Sequence, residues 1–332
     1  MRHFVLLIIP VFTIVLLTCS CDIQAQSAGG NAVYNFLRFP ANPLASSLGD
    51  ENITVISREV TMSYQQPSLL REEMHGQLGA VFTPMFDGVK NLHLAGAFHS
   101  KSLATTFAGN IRYFSYGELA QTDAAGNIEG SFKPRDFVIQ ANASRRYGER
   151  IYYGAALKYI QSDYGMYRSG AIAMDIGANY YDSSKRLQVG ILMKNMGTQL
   201  KSYTGQGSDN LPFDLQAGIT KRLARAPIQF SVTVRELHKL VLYEADSTGT
   251  FDHIMQHFVF ATQFFIADII ELNAGYNHLK RKELGIPNTT NGLTGFAFGT
   301  GVILPRLQIR YARNYYSNSK AINQFGFSCT FP

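Results

Sequence analysis

The sequence contains no tryptophan and only three cysteines, and just 16% of its 332 residues are Asp, Glu, Lys or Arg. Two of the cysteines, Cys19 and Cys21, stand in the first 21 residues. Removal of a leader would leave Cys329 alone and exclude an internal disulfide. Low charge beside 46% hydrophobic residues excludes a disordered, solvating chain. A long apolar run is also missing beyond residue 17. The best later run, Phe258 to Ala267, stops at Asp268, well short of the ~20 residues a spanning helix needs. If the chain re-enters a membrane, it does so as strands.

What is present begins with an export signal. Arg2 is followed by an uncharged apolar run from Phe4 to Leu17 and then by small and polar residues. Residues 1–25 read as a cleaved signal peptide with Gln26 first in the mature chain. The alternative is lipoprotein processing at Cys21. The net charge of +6 is the same with or without the leader, which carries Arg2 and Asp22. A mildly basic exported protein can meet lipid phosphates, and scattered basic loops account for the charge equally well.

The remaining chain alternates apolar and polar residues. In "FDLQAGITK", Phe213, Leu215, Ala217 and Ile219 oppose Asp214, Gln216, Gly218 and Thr220; in "IQFSVTVR", Ile228, Phe230, Val232 and Val234 oppose Gln229, Ser231, Thr233 and Arg235. Period two over such lengths means strand. Turn chemistry bounds strands at 77–86, 91–98, 103–116, 136–147, 151–162, 170–181, 186–196, 212–221, 227–236, 256–265, 269–277, 293–303, 305–313 and 323–331. Their connections alternate long and short after the first two hairpins, as in an outer-membrane barrel with its short turns toward the periplasm. The expected fold is all-β: a fourteen-stranded antiparallel transmembrane β-barrel over 77–332, with an N-terminal plug segment over 26–76. An even strand number puts both termini on the short-turn side. Without Trp, the interfacial girdle falls to Phe and Tyr, including Tyr113, Tyr116, Tyr159, Tyr180, Tyr181, Tyr276 and Tyr311. The final strand sets Phe325, Phe327, Cys329 and Phe331 toward lipid.

The stretches "GGNAVYNFLRFPANPLASSLGDENITV", "YQQPSLL", "IRYFSYGELAQTDAAGNIEGSFKPRDF" and "VGILMKNMGTQLKSY" resemble the PorQ family of type IX secretion system barrels, within the PorV and FadL-like group. The resemblance covers most of the mature chain. It implies a fourteen-stranded barrel with a plug, placed in a cell-surface attachment complex with PorV-like and PorU-like members and holding a PorZ-like protein. The group's plug carries Asn-Pro-Ala after Leu-Gly-Gly. Here Leu48-Gly49-Asp50 and Gln66-Pro67-Ser68 occupy those places, so no ligand-gating role is carried over. Pro40, Pro43, Gly49 and Pro67 mark the expected plug.

The polar phase assigns Arg112, Lys158, Asp175, Lys194, Asp214, Arg235, Glu271 and Arg310 to the lumen. Across adjoining strands the signs alternate as Lys158, Asp175, Lys194, Asp214, Arg235, which suggests an ion ladder that pins register; independent charges facing water are the other reading. A one-residue slip would turn each charge toward lipid, at ~2–4 kcal/mol for Arg or Lys near the midplane. His253 and His257 have a helical ligand spacing without a third ligand in sight, and His93 reads as a satisfied inward polar residue. No nucleophile-elbow pattern singles out a serine, and "GFAFGTG" is no phosphate loop; its glycines let another backbone approach. No enzyme activity, metal, cofactor or nucleic-acid partner is expected. Lys280, Arg281 and Lys282, with Lys201 and Tyr203, are the candidate loop contacts to an acidic partner face or lipopolysaccharide phosphates. The expected function is a non-catalytic outer-membrane anchor of the type IX secretion system. The alternatives are a FadL-like channel for hydrophobic small molecules and a general porin.

Overall fold

The computed structural model describes residues 32–205, 207–239, 242, 250–285, 292–317 and 320–331. The expected leader, residues 1–25, and residues 26–31 lie outside the described residues. Strands β1 (Gln77–Pro84), β2 (Lys90–Ser100) and β3 (Thr105–Ser115) are followed by a separate hairpin of β4 (Leu119–Thr122) and β5 (Ile128–Phe132). Next come β6 (Arg135–Tyr147), β7 (Ile151–Tyr164), β8 (Tyr167–Asp182), β9 (Leu187–Lys201), β10 (Asp214–Arg222) and β11 (Ile228–Val234). β12 (Phe258–Ile266), β13 (Ile270–Asn277), β14 (Phe296–Ile303), β15 (Leu307–Tyr315) and β16 (Ala321–Thr330) complete the order. Apart from the β4–β5 hairpin, these form a closed antiparallel barrel of fourteen strands, each at a position the alternation assigns. β1 closes on β16, in register from Gln77↔Thr330 to Phe82↔Phe325, so neither edge is left open.

Burial alternates along each strand. In β1, Gln77, Gly79, Val81 and Thr83 are buried while Leu78, Ala80 and Phe82 are exposed. The exposed phase is apolar around the ring, through Leu94, Ile111, Leu157, Ile191, Ile219 and Leu272. A soluble sandwich would bury this phase; a barrel in lipid turns it outward. Tyr159 and Tyr180 lie in it, but two members of the expected tyrosine girdle do not. Tyr181 belongs to the inward phase of β8 beneath Arg71, and Tyr116 stacks on Phe114 inside the rim.

The turns at 101–104, 148–150, 183–186, 223–227, 267–269 and 304–306 share one rim with the barrel's two ends, where Phe331 N–H donates to the Gly76 carbonyl at 3.0 Å. On the other rim, the expected loop "SDYGMYRS" is mostly strand. β7 and β8 stay paired to Tyr164↔Tyr167, because Ser162 and Ser169 find inward partners in Asp136 and the Lys201 carbonyl and Gly165 supplies a left-handed turn residue.

Residues 32–76 contact the buried phase of the wall from one rim to the other. Ala32 bridges Asn210 in the β9–β10 connection, the helix Pro43–Ser47 lies against β13 to β16, and Pro67–Leu69 lies against β6 to β8. Asn42 caps that helix by accepting from Ala45 N–H at 2.7 Å, with Pro43 in its first turn. The parity rule therefore places only the barrel's own ends on the short-turn rim; residue 32 stands at the long-connection rim.

Candidate functional site

An irregular segment brings carbonyls that no ladder satisfies, and buried carbonyls need donors. The inward phase supplies them. Arg112 donates to the Phe39 and Pro40 carbonyls at 2.8 and 3.1 Å, and Gln324 also reaches Pro40 at 3.0 Å. Asn142 donates to Ser63 at 2.9 Å, Asn277 to Gly49 at 3.1 Å and His93 Nδ1 to Ala41 at 2.9 Å. Gly49 has φ +88°, and its backbone lies so close to Gly275 that a Cβ there would overlap Leu48 and Gly49. Gly299 in "GFAFGTG" stands likewise against Ser47, and Gly154 against Pro67 and Ser68. A Cβ on Gly326 would lie 2.8 Å from the Pro43 ring.

The alternating charges form a direct ion pair at the first rung and relays beyond it. Lys158 Nζ lies 2.6 Å from Asp175 Oδ2. A bulge in β9 turns both Lys194 and Asn195 inward, and Asn195 adopts φ +57°, which asparagine tolerates. Asn195 accepts from Lys158 Nζ at 2.8 Å and gives its backbone N–H to Asp175 at 2.7 Å. Lys194 and Asp214 are register partners, yet Lys194 is 4.0 Å from Glu51 of the N-terminal segment. Gln216 links Glu51 and Asp214 at 3.1 and 2.7 Å. Arg235 lies 3.7 Å from Glu236, whose N–H donates to Asp214 at 2.6 Å. A second cluster joins Arg310 to Glu271 at 2.6 Å and to Glu59 of the segment. Sequence reasoning assigned these wall charges inward but missed their partners. Its available signal was the acids Asp50, Glu51 and Glu59 in the segment expected to meet a lumen holding lysines and arginines.

The loop cations are not one open patch. Lys280 is buried: it pairs with Asp50, donates to Asn314 at 3.0 Å and lies 3.9 Å from the Tyr316 ring centroid. Burial pushes the Asp50 carboxyl up and the Lys280 ammonium down, each opposed by the other's charge. Arg281 donates to the Gly292 and Thr294 carbonyls at 3.1 and 3.2 Å, and Lys282 to Asp252 at 3.0 Å. The helix His278–Glu283 aims these three residues in different directions. Lys201 ends β9 exposed. His257 bonds the Arg235 carbonyl through Nδ1 at 2.9 Å.

Tyr203 lies in an aromatic cavity of about 510 Å³ at the long-connection rim, lined by Val33, Tyr34 and Phe36 of the segment and by Tyr116, Tyr164 and Tyr203. Tyr203 stacks on Tyr164 with centroids 5.6 Å apart and planes 4° apart. Burial pushes its phenol up to about 12 and raises that of Tyr116 further. Its lining of rings and aliphatic side chains suits the cavity to apolar or aromatic matter.

The geometry defines a class: a closed fourteen-stranded antiparallel barrel whose outward phase is apolar. No protein-family model and no curated protein matches the sequence. Among solved structures, a deltaS2S3 mutant of the TodX monoaromatic hydrocarbon channel is similar at TM-score 0.54 and 12% identity, over 88% of this chain and 99% of that one. The deltaS2 mutant of TodX gives TM-score 0.54 and 11% identity with the same coverage. A Pseudomonas aeruginosa FadL homologue is similar at TM-score 0.47 and 8% identity, over 88% of this chain and 98% of that one. The TodX likeness shows a shared barrel fold.

Proposed function

We propose that the chain resides in an outer membrane as a barrel plugged by its own N-terminal segment, and that it is a non-catalytic anchor holding a partner protein at the cell surface. The resemblance to the PorQ family names that partner as PorZ-like, beside PorU-like and PorV-like members of a type IX secretion attachment complex. The observation that supports the anchor is the filled interior. Residues 41–55 are buried, and the wall bonds the Ala41 and Gly49 carbonyls and the Glu51 carboxylate among them. Outward on the long-connection rim stand exposed apolar side chains, Leu119, Ile128, Met166, Phe251 and Ile254, which suit burial by a protein partner.

The aromatic cavity favours a second reading, FadL-like uptake of hydrophobic small molecules. The comparisons lean to that reading, because the TodX proteins are named as hydrocarbon channels; the filled lumen leans to the anchor. Two measurements on the purified protein separate them. The anchor reading expects no saturable flux of toluene into reconstituted liposomes, and capture of an exported surface protein that Ile128→Asp with Phe251→Asp abolishes. Saturable flux without capture would replace it with the channel.

A further inference from the structure

The net positive charge of this protein is concentrated unevenly. Five of the six short turns carry exposed cations: Lys101 on 101–104, Arg150 on 148–150, Lys185 and Arg186 on 183–186, Arg225 on 223–227 and Arg306 on 304–306. The acids of this rim are fewer: Glu149 stands exposed beside Arg150, Asp182 lies 3.3 Å from Arg150 and Asp268 pairs with Arg222. Among the described residues, no carboxylate lies within ion-pair distance of Lys101, Lys185, Arg186, Arg225 or Arg306. On the opposite rim several cations are paired with acids, as in Lys133–Glu118 at 3.6 Å, Arg135–Asp163 at 3.3 Å and Lys239–Glu236 at 2.8 Å, while Lys90, Lys201 and Lys320 stand exposed.

The strand ends beside these turns add a second observation. Arg145 continues the exposed column of β6 that holds Ile139, and it faces Tyr153 across to β7. Lys221 continues the exposed column of β10 after Ile219 and faces Phe230. Both are exposed. Each column thus runs from aliphatic residues to a cation that an aromatic ring of the neighbouring strand faces, as side chains do on passing from hydrocarbon to headgroup. Exposed Tyr153 stands level with Arg145, and exposed Tyr147 lies two residues further along β6.

We propose that the short-turn rim is a binding surface for anionic glycerophospholipid headgroups in the leaflet it reaches, with Arg145, Lys185, Arg186, Lys221 and Arg225 as the phosphate-contacting cations. The inference rests on the membrane reading above. The five named cations lie on the arc from β6 to β11, and Lys101 between β2 and β3 and Arg306 between β14 and β15 carry exposed positive charge to the rest of the rim, as an encircling headgroup layer requires. Arginine offers the fork geometry that phosphate accepts, and a polybasic rim gains most where the surface is anionic.

The test uses the full-length barrel in vesicles of equal parts phosphatidylcholine and phosphatidylglycerol, with the retained lipids counted by native mass spectrometry after mild extraction. The expected result is several-fold enrichment of phosphatidylglycerol, reduced at about 0.5 M salt. Replacing Arg145, Lys185, Arg186 and Arg225 with Gln should bring the ratio close to parity, whereas Lys at all four positions should keep the enrichment. Parity in the unsubstituted protein, or enrichment that survives the Gln substitutions in a barrel still showing its heat-dependent mobility shift, overturns the proposal. Failure of the unsubstituted barrel to insert into either pure lipid overturns the membrane reading instead, so the two failures are distinguishable.

Discussion

Lys158 Nζ lies 2.6 Å from Asp175 Oδ2 on adjoining strands, with the side chains 1% and 0% exposed. Neither charge has water to fall back on, and Asn195 completes the set by bonding both. Such a pair contributes little over a well-packed apolar pair, but breaking it strands a charge. Lys158→Met should therefore destabilise the barrel by roughly 3–5 kcal/mol. Adding Asp175→Leu should restore most of that loss. Urea unfolding in detergent reads both variants, and equal losses in the single and double variants would show that the two charges do not act as a pair.

The contact between Gly275 and the Leu48–Gly49 backbone leaves no room for a side chain. Gly275→Val should displace the Pro43–Ser47 helix and its exit while the wall, held by β12 and β14 on either side, still closes. Limited proteolysis should then cut within residues 43–55, with the heat-dependent mobility shift of the folded barrel retained. Protection equal to that of the unsubstituted protein would mean that the segment does not depend on this approach.

The wall was legible in the sequence because lipid and lumen impose opposite polarity on successive residues. "FDLQAGITK" and "NQFGFSCTF" announce their own two faces. The β4–β5 hairpin was not legible. Leu119–Thr122 and Ile128–Phe132 are short and exposed, so no burial stamps a period on them. The β9 bulge escaped because the alternation gives no warning that Lys194 and Asn195 both turn inward. The basic run Lys280-Arg281-Lys282 looked like a patch because adjacency in sequence was taken for adjacency on a surface; a helix separates its successive residues by about 100°, and Asp50 claims the first of them.

Arg112 ties the segment to the wall at the other end of the Pro43–Ser47 helix. It satisfies the Phe39 and Pro40 carbonyls, and a hydrogen bond to a charged group is worth ~1.5–3 kcal/mol. Arg112→Leu leaves Pro40 with Gln324 alone among these donors. Amide exchange over residues 36–45 should quicken by at least tenfold, with the exchange of β2 and β6 little changed. Unaltered exchange over 36–45 would show that the guanidinium is not what fastens the segment.

Asp252 joins two helices of the long-connection rim, Thr250–Met255 and His278–Glu283, through Lys282 at 3.0 Å and His278 at 3.1 Å. The hydrogen bond from Lys282, with His278 beside it, holds the Asp252 carboxyl below the usual carboxylate range. A carboxyl whose folded value is depressed contributes its full stabilisation above its unfolded value, and loses it only as pH falls through the folded one. The tie should therefore hold unchanged from pH 8 down to about pH 5 and loosen only below the ordinary aspartate value of about 3.9. Asp252→Asn should loosen it at every pH. A fluorophore and quencher placed on Ile254 and Glu283 through cysteine would follow the separation. Loosening already between pH 7 and 6 would move control of the rim from the aspartate to a group that titrates near neutrality, and with it the expectation that a partner docked there stays held in mildly acidic surroundings.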